Sequence, residues 1–120
     1  MCHVLIIEDE VLVGADLALI LEDHGVSSVD FATTESQAIT RALEHRPDLI
    51  VSDFQLAQGT GGKAVETIRA AFGDLPVIYV TSMPDACHAD AETVVLAKPF
   101  LEAELIEAFE FLRRRTPRAA

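Results

Sequence analysis

Five polar side chains in this sequence have the chemistry of a phosphate or metal site, and each stands where an apolar run ends. They are Glu8, Asp9, Asp53, Thr81 and Lys98. Buried parallel strands are apolar throughout because helices cover both of their faces, so these runs are predicted strands. The carboxyl ends of parallel strands meet at one edge of a sheet. We therefore expect three carboxylates, the hydroxyls of Thr81 and of the following Ser82, and an ammonium group in one crevice.

The three carboxylates predict a magnesium site. Glu8, Asp9 and Asp53 would repel one another if held together, and a divalent cation relieves that repulsion. Mg²⁺ takes oxygen ligands and keeps several of its waters, so a few carboxylates at an open crevice suit it. Mg²⁺ is therefore the expected cofactor.

The same residues predict that the chain accepts a phosphoryl group. Asp53 is the expected nucleophile because it alone projects between the acidic pair and the side of Thr81 and Lys98, and carboxylates can form acyl phosphates. Lys98 would supply a positive charge and Thr81 a hydroxyl to the phosphoryl oxygens. We recognise no general base in the sequence beside Asp53. We therefore expect a phosphoacceptor with slow self-dephosphorylation, not an enzyme with fast turnover.

The elements that position these residues alternate along the chain. Short apolar runs predict strands at 4–7, 29–32, 49–52, 77–80 and 94–97. Amphipathic stretches predict helices at 11–24, from a cap at Thr33 or Thr34 through 44, at 64–72 and at 101–115. Ala38, Ala42 and Leu43 are expected to face inward, and the glycine-rich stretch 59–62 is expected to be a loop in which Gly61 provides a turn.

This order predicts an α/β fold. A doubly wound, five-stranded parallel sheet with helices on both faces accounts for the strand–helix alternation. The whole of 1–120 is expected to form one domain, because 120 residues close a single core and leave no room for a second.

Charge and composition exclude some function classes. The formal net charge of −11 opposes binding to nucleic acid or to anionic lipid. The one basic cluster, at Arg113, Arg114, Arg115 and Arg118, is expected to complement the C-terminus of a helix. No stretch is long and apolar enough to span a membrane, so we expect a cytoplasmic protein. Two Cys-His pairs, at 2–3 and 87–88, fit no common zinc spacing and no disulfide framework.

Four segments resemble the receiver domain of bacterial two-component response regulators, the CheY-like family. They are 6–10 (IIEDE), 47–53 (PDLIVSD), 76–82 (PVIYVTS) and 98–100 (KPF), in the family's order and spacing. The segment 81–84 (TSMP) and the short connection after it further resemble receivers of general-stress regulators.

The resemblance implies a role for each site residue. Glu8 and Asp9 match the acidic pair that holds Mg²⁺, Asp53 matches the phosphoacceptor, and the backbone carbonyl of Gln55 matches a further metal ligand. Thr81 and Lys98 match the switch hydroxyl and the phosphate-contacting lysine, and the bond before Pro99 is expected to be cis. The implied phosphodonor is a sensor histidine kinase or a histidine phosphotransfer protein, and the implied output is binding of a protein partner by a stand-alone domain.

The sequence departs from the family's pattern at three places. Ala57 replaces a usual proline, Val95 replaces the switch aromatic, and the stretch between Thr81 and Lys98 is short, with an early Pro84. The fourth helix of the family is therefore expected to be short or irregular. Tyr79, on the same strand face as Thr81, is a candidate substitute for the missing aromatic.

Two other functions compete with this interpretation. Phosphatases of the haloacid-dehalogenase type also use Asp, Mg²⁺, Thr and Lys, but they need a second Asp where this chain has Gln55. A receiver-like interaction module that works without phosphorylation is the other alternative. It is favoured by Val95 and the short fourth helix, and opposed by the intact set of site residues.

Overall fold

The computed structural model describes residues 2–115, with the side chain of Arg115 left out. Its strands are β1 (His3–Ile7), β2 (Ser28–Ala32), β3 (Leu49–Ser52), β4 (Val77–Thr81) and β5 (Thr93–Ala97). Its helices are α1 (Val11–Glu22), α2 (Glu35–Glu44), α3 (Gly61–Phe72) and α4 (Glu102–Arg115). Every strand and helix predicted from the sequence is present, with ends that differ by at most three residues.

The five strands form one parallel sheet in the order β2-β1-β3-β4-β5. Alternate residues of each strand face opposite sides, so β1 sends Val4 and Ile6 to one core and Leu5 and Ile7 to the other. Helices α1 and α4 close the first core, and α2 and α3 close the second. The predicted doubly wound α/β fold is confirmed.

The connection from β4 to β5 contains one short 3₁₀ turn, Pro84–Ala86, where the family resemblance implies a helix. Pro84 stands at the start of this turn. A proline is tolerated there because the first turn of a helix leaves its N–H groups unbonded. The expectation of a short or irregular helix at this position is confirmed.

Two local predictions concern helix α2: its cap and its inward-facing residues. Thr34, and not Thr33, caps α2, because its Oγ1 accepts a hydrogen bond from the Gln37 N–H. Leu43 was predicted to face inward, which is wrong: it is 60% exposed, whereas Ala38 and Ala42 are buried. A ten-residue helix on a sheet buries only one stripe, and small alanines let α2 lie close to the strands.

The glycine-rich loop is shorter than predicted, because only Gly59 and Thr60 of the range 59–62 lie outside α3. Gly61 and Gly62 begin α3 rather than forming a turn, and the turn falls on Gly59, which has φ of 80°. That left-handed conformation favours glycine because a Cβ atom would clash with the backbone. Thr60 caps α3 by accepting a hydrogen bond from the Lys63 N–H, so the helix begins one turn earlier than its apolar pattern indicates.

The terminal and cysteine predictions have mixed outcomes. Arg113 donates a hydrogen bond to the carbonyl of His24, while Arg118 and the side chain of Arg115 lie outside the described residues. Cys2 belongs to the core under α1 and α4, and Cys87 packs on the opposite core. The sheet therefore separates the two Cys-His pairs, which cannot share a metal.

Within residues 2–115 no helix has the length and apolar character needed to cross a membrane.

Candidate phosphoryl-accepting site

The site residues are placed by the strand ends they follow. The Asp53 N–H donates to the carbonyl of Ile7, the last residue of β1, over 2.9 Å. The Lys98 N–H donates to the carbonyl of Thr81 over 2.8 Å. These main-chain bonds extend the sheet ladder by one residue, so the side chains leave the sheet at its carboxyl edge. The predicted convergence of Glu8, Asp53 and Lys98 is confirmed.

Lys98 is the electrostatic centre of the crevice. Its Nζ donates to Glu8 Oε1 over 3.0 Å and to Asp53 Oδ2 over 3.1 Å, and it lies 4.0 Å from Glu10 Oε2. The Glu8 side chain is only 2% exposed, while Glu10 is exposed. Ion pairs in partly buried sites are less screened than those on the surface. One ammonium group therefore compensates two carboxylates that would otherwise repel each other.

The pKa values of Glu8 and Lys98 are both raised, for different reasons. Burial raises the pKa of Glu8, and the Glu10 N–H and the Lys98 ammonium only partly offset it. Burial alone would lower the pKa of Lys98, but its hydrogen bonds to Glu8 and Asp53 outweigh that effect and raise the pKa. Lys98 thus keeps its charge at neutral pH, and its ammonium group favours the charged form of Glu8.

Three acidic groups lie close enough together to hold one metal ion. One carboxylate oxygen from each of Glu8, Asp9 and Asp53 lies within 4.8 Å of the other two. Asp9 is oriented by the Ala57 N–H, which donates to its Oδ2 over 2.6 Å. Hard oxygen donors at an open crevice fit Mg²⁺. The residues present therefore suit the ion that the sequence predicts.

The backbone of Asp53 is clamped from two sides. The Ser52 hydroxyl donates to the Asp53 carbonyl over 2.7 Å, and the Gly61 N–H at the start of α3 donates to the Phe54 carbonyl over 2.8 Å. A Cβ atom on Gly61 would penetrate the Asp53 carbonyl oxygen and the Ser52 hydroxyl. Helix α3 approaches the candidate phosphoacceptor this closely only because residue 61 is glycine.

Thr81 and Gln55 lie at the crevice, as expected. The hydrogen bonds they make there are not the contacts with phosphate and metal that their predicted roles require. The buried Thr81 Oγ1 accepts a hydrogen bond from the Met83 N–H over 3.0 Å, which leaves its own proton able to be donated. The Gln55 N–H donates to Asp53 Oδ1 over 3.3 Å. The metal-ligand role of the Gln55 carbonyl and the phosphate role of the Thr81 hydroxyl stay predictions.

Tyr79 is buried beside the site rather than at the surface. Its ring meets the edge of Phe54, the residue after Asp53, with centroids 5.7 Å apart and planes at 72°. Its strand partner in β5 is Val95, the residue that stands in place of the switch aromatic. Tyr79 thus contacts the residue that follows Asp53, and its role as a substitute for the missing aromatic stays a prediction.

The ionisation of Tyr79 provides a direct test of its burial. Desolvation raises the pKa of Tyr79 to about 12, and this is the chain's only tyrosine, with no tryptophan to obscure it. We expect an ultraviolet absorbance titration of the folded protein to show a midpoint near 12, against about 10 in urea. The folded pKa is the higher one, so this group's contribution to stability is complete below pH 10 and is lost as pH rises through about 12. A folded-state midpoint near 10 would show that the ring is solvated.

Removal of the Lys98 ammonium should destabilise the metal-free protein. We expect Lys98→Met to lower the free energy of unfolding by about 1–3 kcal/mol at neutral pH, because it leaves the buried Glu8 carboxylate poorly compensated. The pKa of Glu8 would rise further. The difference from the parent should therefore shrink as pH falls, since Glu8 then takes up a proton in both proteins.

Denaturant unfolding of the metal-free protein at several pH values measures this loss. Lys63→Met is the matched control, because Lys63 is an exposed lysine on α3. Equal losses in the two variants, or a loss that does not depend on pH, would contradict the proposed coupling between Lys98 and Glu8.

Sequence reasoning did not predict how three residues shape the site. Ser52 holds the Asp53 carbonyl, Ala57 orients Asp9 through its N–H, and Gly61 allows the close approach of α3. Ala57 acts through its main-chain N–H, which every residue type except proline carries. Gly61 left a signal in the sequence, but with glycines at 59, 61 and 62 that signal was ambiguous.

Comparison with known proteins agrees with this geometry. Residues 4–110 match the response regulator receiver domain, a range that includes every residue of the crevice. The phyllosphere-induced regulator PhyR of Methylorubrum extorquens is 36% identical over 108 residues, which cover 86% of this chain and 40% of that protein. The chain therefore spans less than half the length of this relative.

Solved structures give the same result. The receiver (REC) domain of the PhyR response regulator from Erythrobacter litoralis has a TM-score of 0.83 at 31% identity, over 99% of this chain and 96% of that one. A structure of the PhyR stress response regulator has a TM-score of 0.83 at 30% identity, over 98% of this chain and 47% of that one. The resemblance to receivers of stress regulators is thereby confirmed. With its sequence match, its sheet order and its crevice in agreement, the chain belongs to the response regulator receiver domain family.

Proposed function

We propose that this receiver domain accepts one phosphoryl group on Asp53 from a phosphohistidine and signals by binding a protein partner. The observation that carries the proposal is the Asp53 carboxylate at the carboxyl edge of the sheet, held by Lys98 next to Glu8 and Asp9. In this position a nucleophile, a fixed positive charge and a set of oxygen ligands for Mg²⁺ lie within one crevice.

The chemistry is a transfer between two nucleophiles. As a bond forms from an Asp53 oxygen to phosphorus, the P–N bond of the donor breaks and the imidazole leaves with its electron pair. Phosphoryl transfer has a loose transition state, so the protein acts mainly by positioning and by charge stabilisation. Bound Mg²⁺, held by Glu8, Asp9, Asp53 and the Gln55 carbonyl, would neutralise charge on the phosphoryl oxygens.

Lys98 and Thr81 would act after the transfer. The Lys98 ammonium already contacts Asp53 Oδ2 and would pair with a phosphoryl oxygen once that carboxylate is phosphorylated. The Thr81 hydroxyl, now bonded by the Met83 N–H, would donate its proton to another. Because Thr81 also pairs with β5 through its main chain, its movement would alter the β4–β5 side of the domain.

The surface around the crevice is suited to a protein donor. Val11 and Leu12, in the first turn of α1, are 74% and 81% exposed, and Met83 and Leu101 are exposed in loops at the same edge of the sheet. Apolar side chains next to a charged crevice are typical of protein-binding surfaces. They support a histidine kinase or a histidine phosphotransfer protein as the donor.

A mass measurement tests the proposal. The purified protein is incubated with a small phosphodonor or with a phosphorylated histidine protein, each with and without Mg²⁺, and its intact mass is recorded. We expect a gain of one phosphoryl group that requires Mg²⁺. If neither donor adds a group, the alternative of a module that works without phosphorylation gains weight. The single 3₁₀ turn between β4 and β5 already favours it slightly, because a usual switch element is reduced there.

A further inference from the structure

A second cluster of metal-binding side chains lies at the opposite end of the sheet from Asp53. His3 begins β1, Asp30 lies within the neighbouring strand β2, and His45 follows the last residue of α2. His3 Nε2 is 3.1 Å from Asp30 Oδ2, and His45 Nδ1 is 3.8 Å from the same oxygen. The three atoms all lie within 4.8 Å of one another. The phosphoryl-accepting site uses none of these residues.

His3 is held in a fixed orientation. Only 6% of the residue is exposed, its Nδ1 lies 2.7 Å from the Ser28 hydroxyl, and its N–H donates to Asp48 Oδ2 over 2.8 Å. A serine hydroxyl can donate or accept. When the hydroxyl accepts from Nδ1–H, Nε2 can give its lone pair to a metal ion, in place of the hydrogen bond that Nε2–H donates to Asp30 in the metal-free protein. Metal-bound histidines usually have such a partner on the second ring nitrogen, which fixes the tautomer.

We propose that His3, Asp30 and His45 bind one divalent transition-metal ion of the zinc class. Two imidazoles and a carboxylate suit Zn²⁺, whereas Mg²⁺ prefers oxygen ligands alone. Zinc–ligand bonds of about 2.0–2.1 Å in a tetrahedron place neighbouring ligand atoms about 3.3 Å apart. The distances from Asp30 Oδ2 to His3 Nε2 and to His45 Nδ1, 3.1 and 3.8 Å, lie on either side of that value. Small side-chain movements therefore complete the site.

His45 is the side chain that must move to bind the ion. Its ring now stacks on that of His3, with centroids 3.5 Å apart and planes at 13°. Lone pairs lie in the ring planes, so two stacked rings cannot both point at one ion, and His45 must tilt out of the stack. Its side chain is 57% exposed and stands at the end of α2, which leaves it room to turn. The same exposure gives a water access to the fourth coordination position.

The bound ion would link three elements. It would join β1, β2 and the C-terminal end of α2, none of which is otherwise connected covalently at this end of the sheet. An ion that binds the folded chain and not the unfolded one stabilises the fold by mass action. The structure therefore assigns to this end of the domain a stabilising metal site, separate from the signalling crevice.

Calorimetric titration of the full chain with Zn²⁺, in buffer with excess Mg²⁺, tests the proposal. Excess Mg²⁺ keeps Zn²⁺ out of the acidic crevice. We expect one equivalent to bind, and His45→Gln or Asp30→Asn to weaken binding more than tenfold. His88→Gln is the matched control, because His88 is an exposed histidine elsewhere, and it should leave binding unchanged. In the parent protein, the ring NMR signals of His3 and His45 should shift together, which avoids mutation of the buried His3.

Several results would overturn the proposal. Absence of saturable binding would do so, as would unchanged affinity in His45→Gln. Equal weakening in His88→Gln or Cys87→Ser would assign the ion to the Cys87–His88 pair instead. Loss of binding in Asp53→Asn, or displacement of Zn²⁺ by more Mg²⁺, would place it in the acidic crevice.

Discussion

Protein that carries Asp53→Asn is expected to gain no phosphoryl group under conditions in which the parent gains one. The amide nitrogen and oxygen of asparagine are poor nucleophiles, so the acyl phosphate cannot form. The fold should survive, because the Asp53 side chain is near the surface of the crevice and Lys98 keeps its 3.0 Å bond to Glu8. Intact-mass measurement with a small phosphodonor and Mg²⁺ gives the result directly, and the expected loss is complete.

The matched control is Glu10→Gln. Glu10 is also an acid at this edge of the sheet, 4.0 Å from Lys98, but it is exposed and belongs to no ligand set. We expect this variant to be phosphorylated as the parent is. A phosphoryl gain that persists in Asp53→Asn would move the nucleophile to another carboxylate, with Asp9 the next candidate. A loss in both variants would indicate that the total charge of the crevice matters more than Asp53.

The elements of the fold could be predicted because buried parallel strands have an unusually simple sequence. Runs such as 49–52 are apolar throughout, and the first polar residue after each run marks the edge of the sheet. That one rule predicted that Lys98 lies beside Asp53 and Glu8, which are 45 and 90 residues away from it along the chain. The site was predictable because strand ends, not side-chain preferences, determine which residues converge.

The wrong predictions concern features that depend on side-chain packing or on main-chain hydrogen bonds. Leu43 fits the apolar stripe of α2 by type, but Ala38 and Ala42 are small enough to lie against the sheet and the leucine is left outside. The capping of α3 by Thr60 depends on a hydrogen bond to a backbone N–H, which a hydrophobic pattern does not contain. The His3–Asp30–His45 cluster was missed for a similar reason. Its members lie on three elements, and no motif spacing connects them.

Gly61→Ala is expected to be the most damaging single methyl addition in the domain. The new Cβ would collide with the Asp53 carbonyl oxygen, which is main chain at the end of a central strand and cannot rotate away. Overpacking of this kind lowers the free energy of unfolding by about 1–3 kcal/mol, and we expect a collision with the backbone to lie at the upper end of that range. Because the displaced group is the backbone of Asp53, the proposed nucleophile, we also expect phosphorylation to slow by about 10²-fold, the effect of a misplacement of about 1 Å.

Gly14→Ala separates this collision from the general effect of removing a glycine from a helix. Gly14 lies within α1, and a Cβ there would make ordinary contacts, the nearest at 3.7 Å from Phe31 Cδ1. That variant should be stabilised by up to about 1 kcal/mol through helix propensity and be phosphorylated at the parent rate. Denaturant unfolding and the time course of the mass gain measure both effects. If Gly61→Ala matched the parent in both, α3 would not press on Asp53, and the position of the nucleophile would depend on Ser52 and the β1 ladder alone.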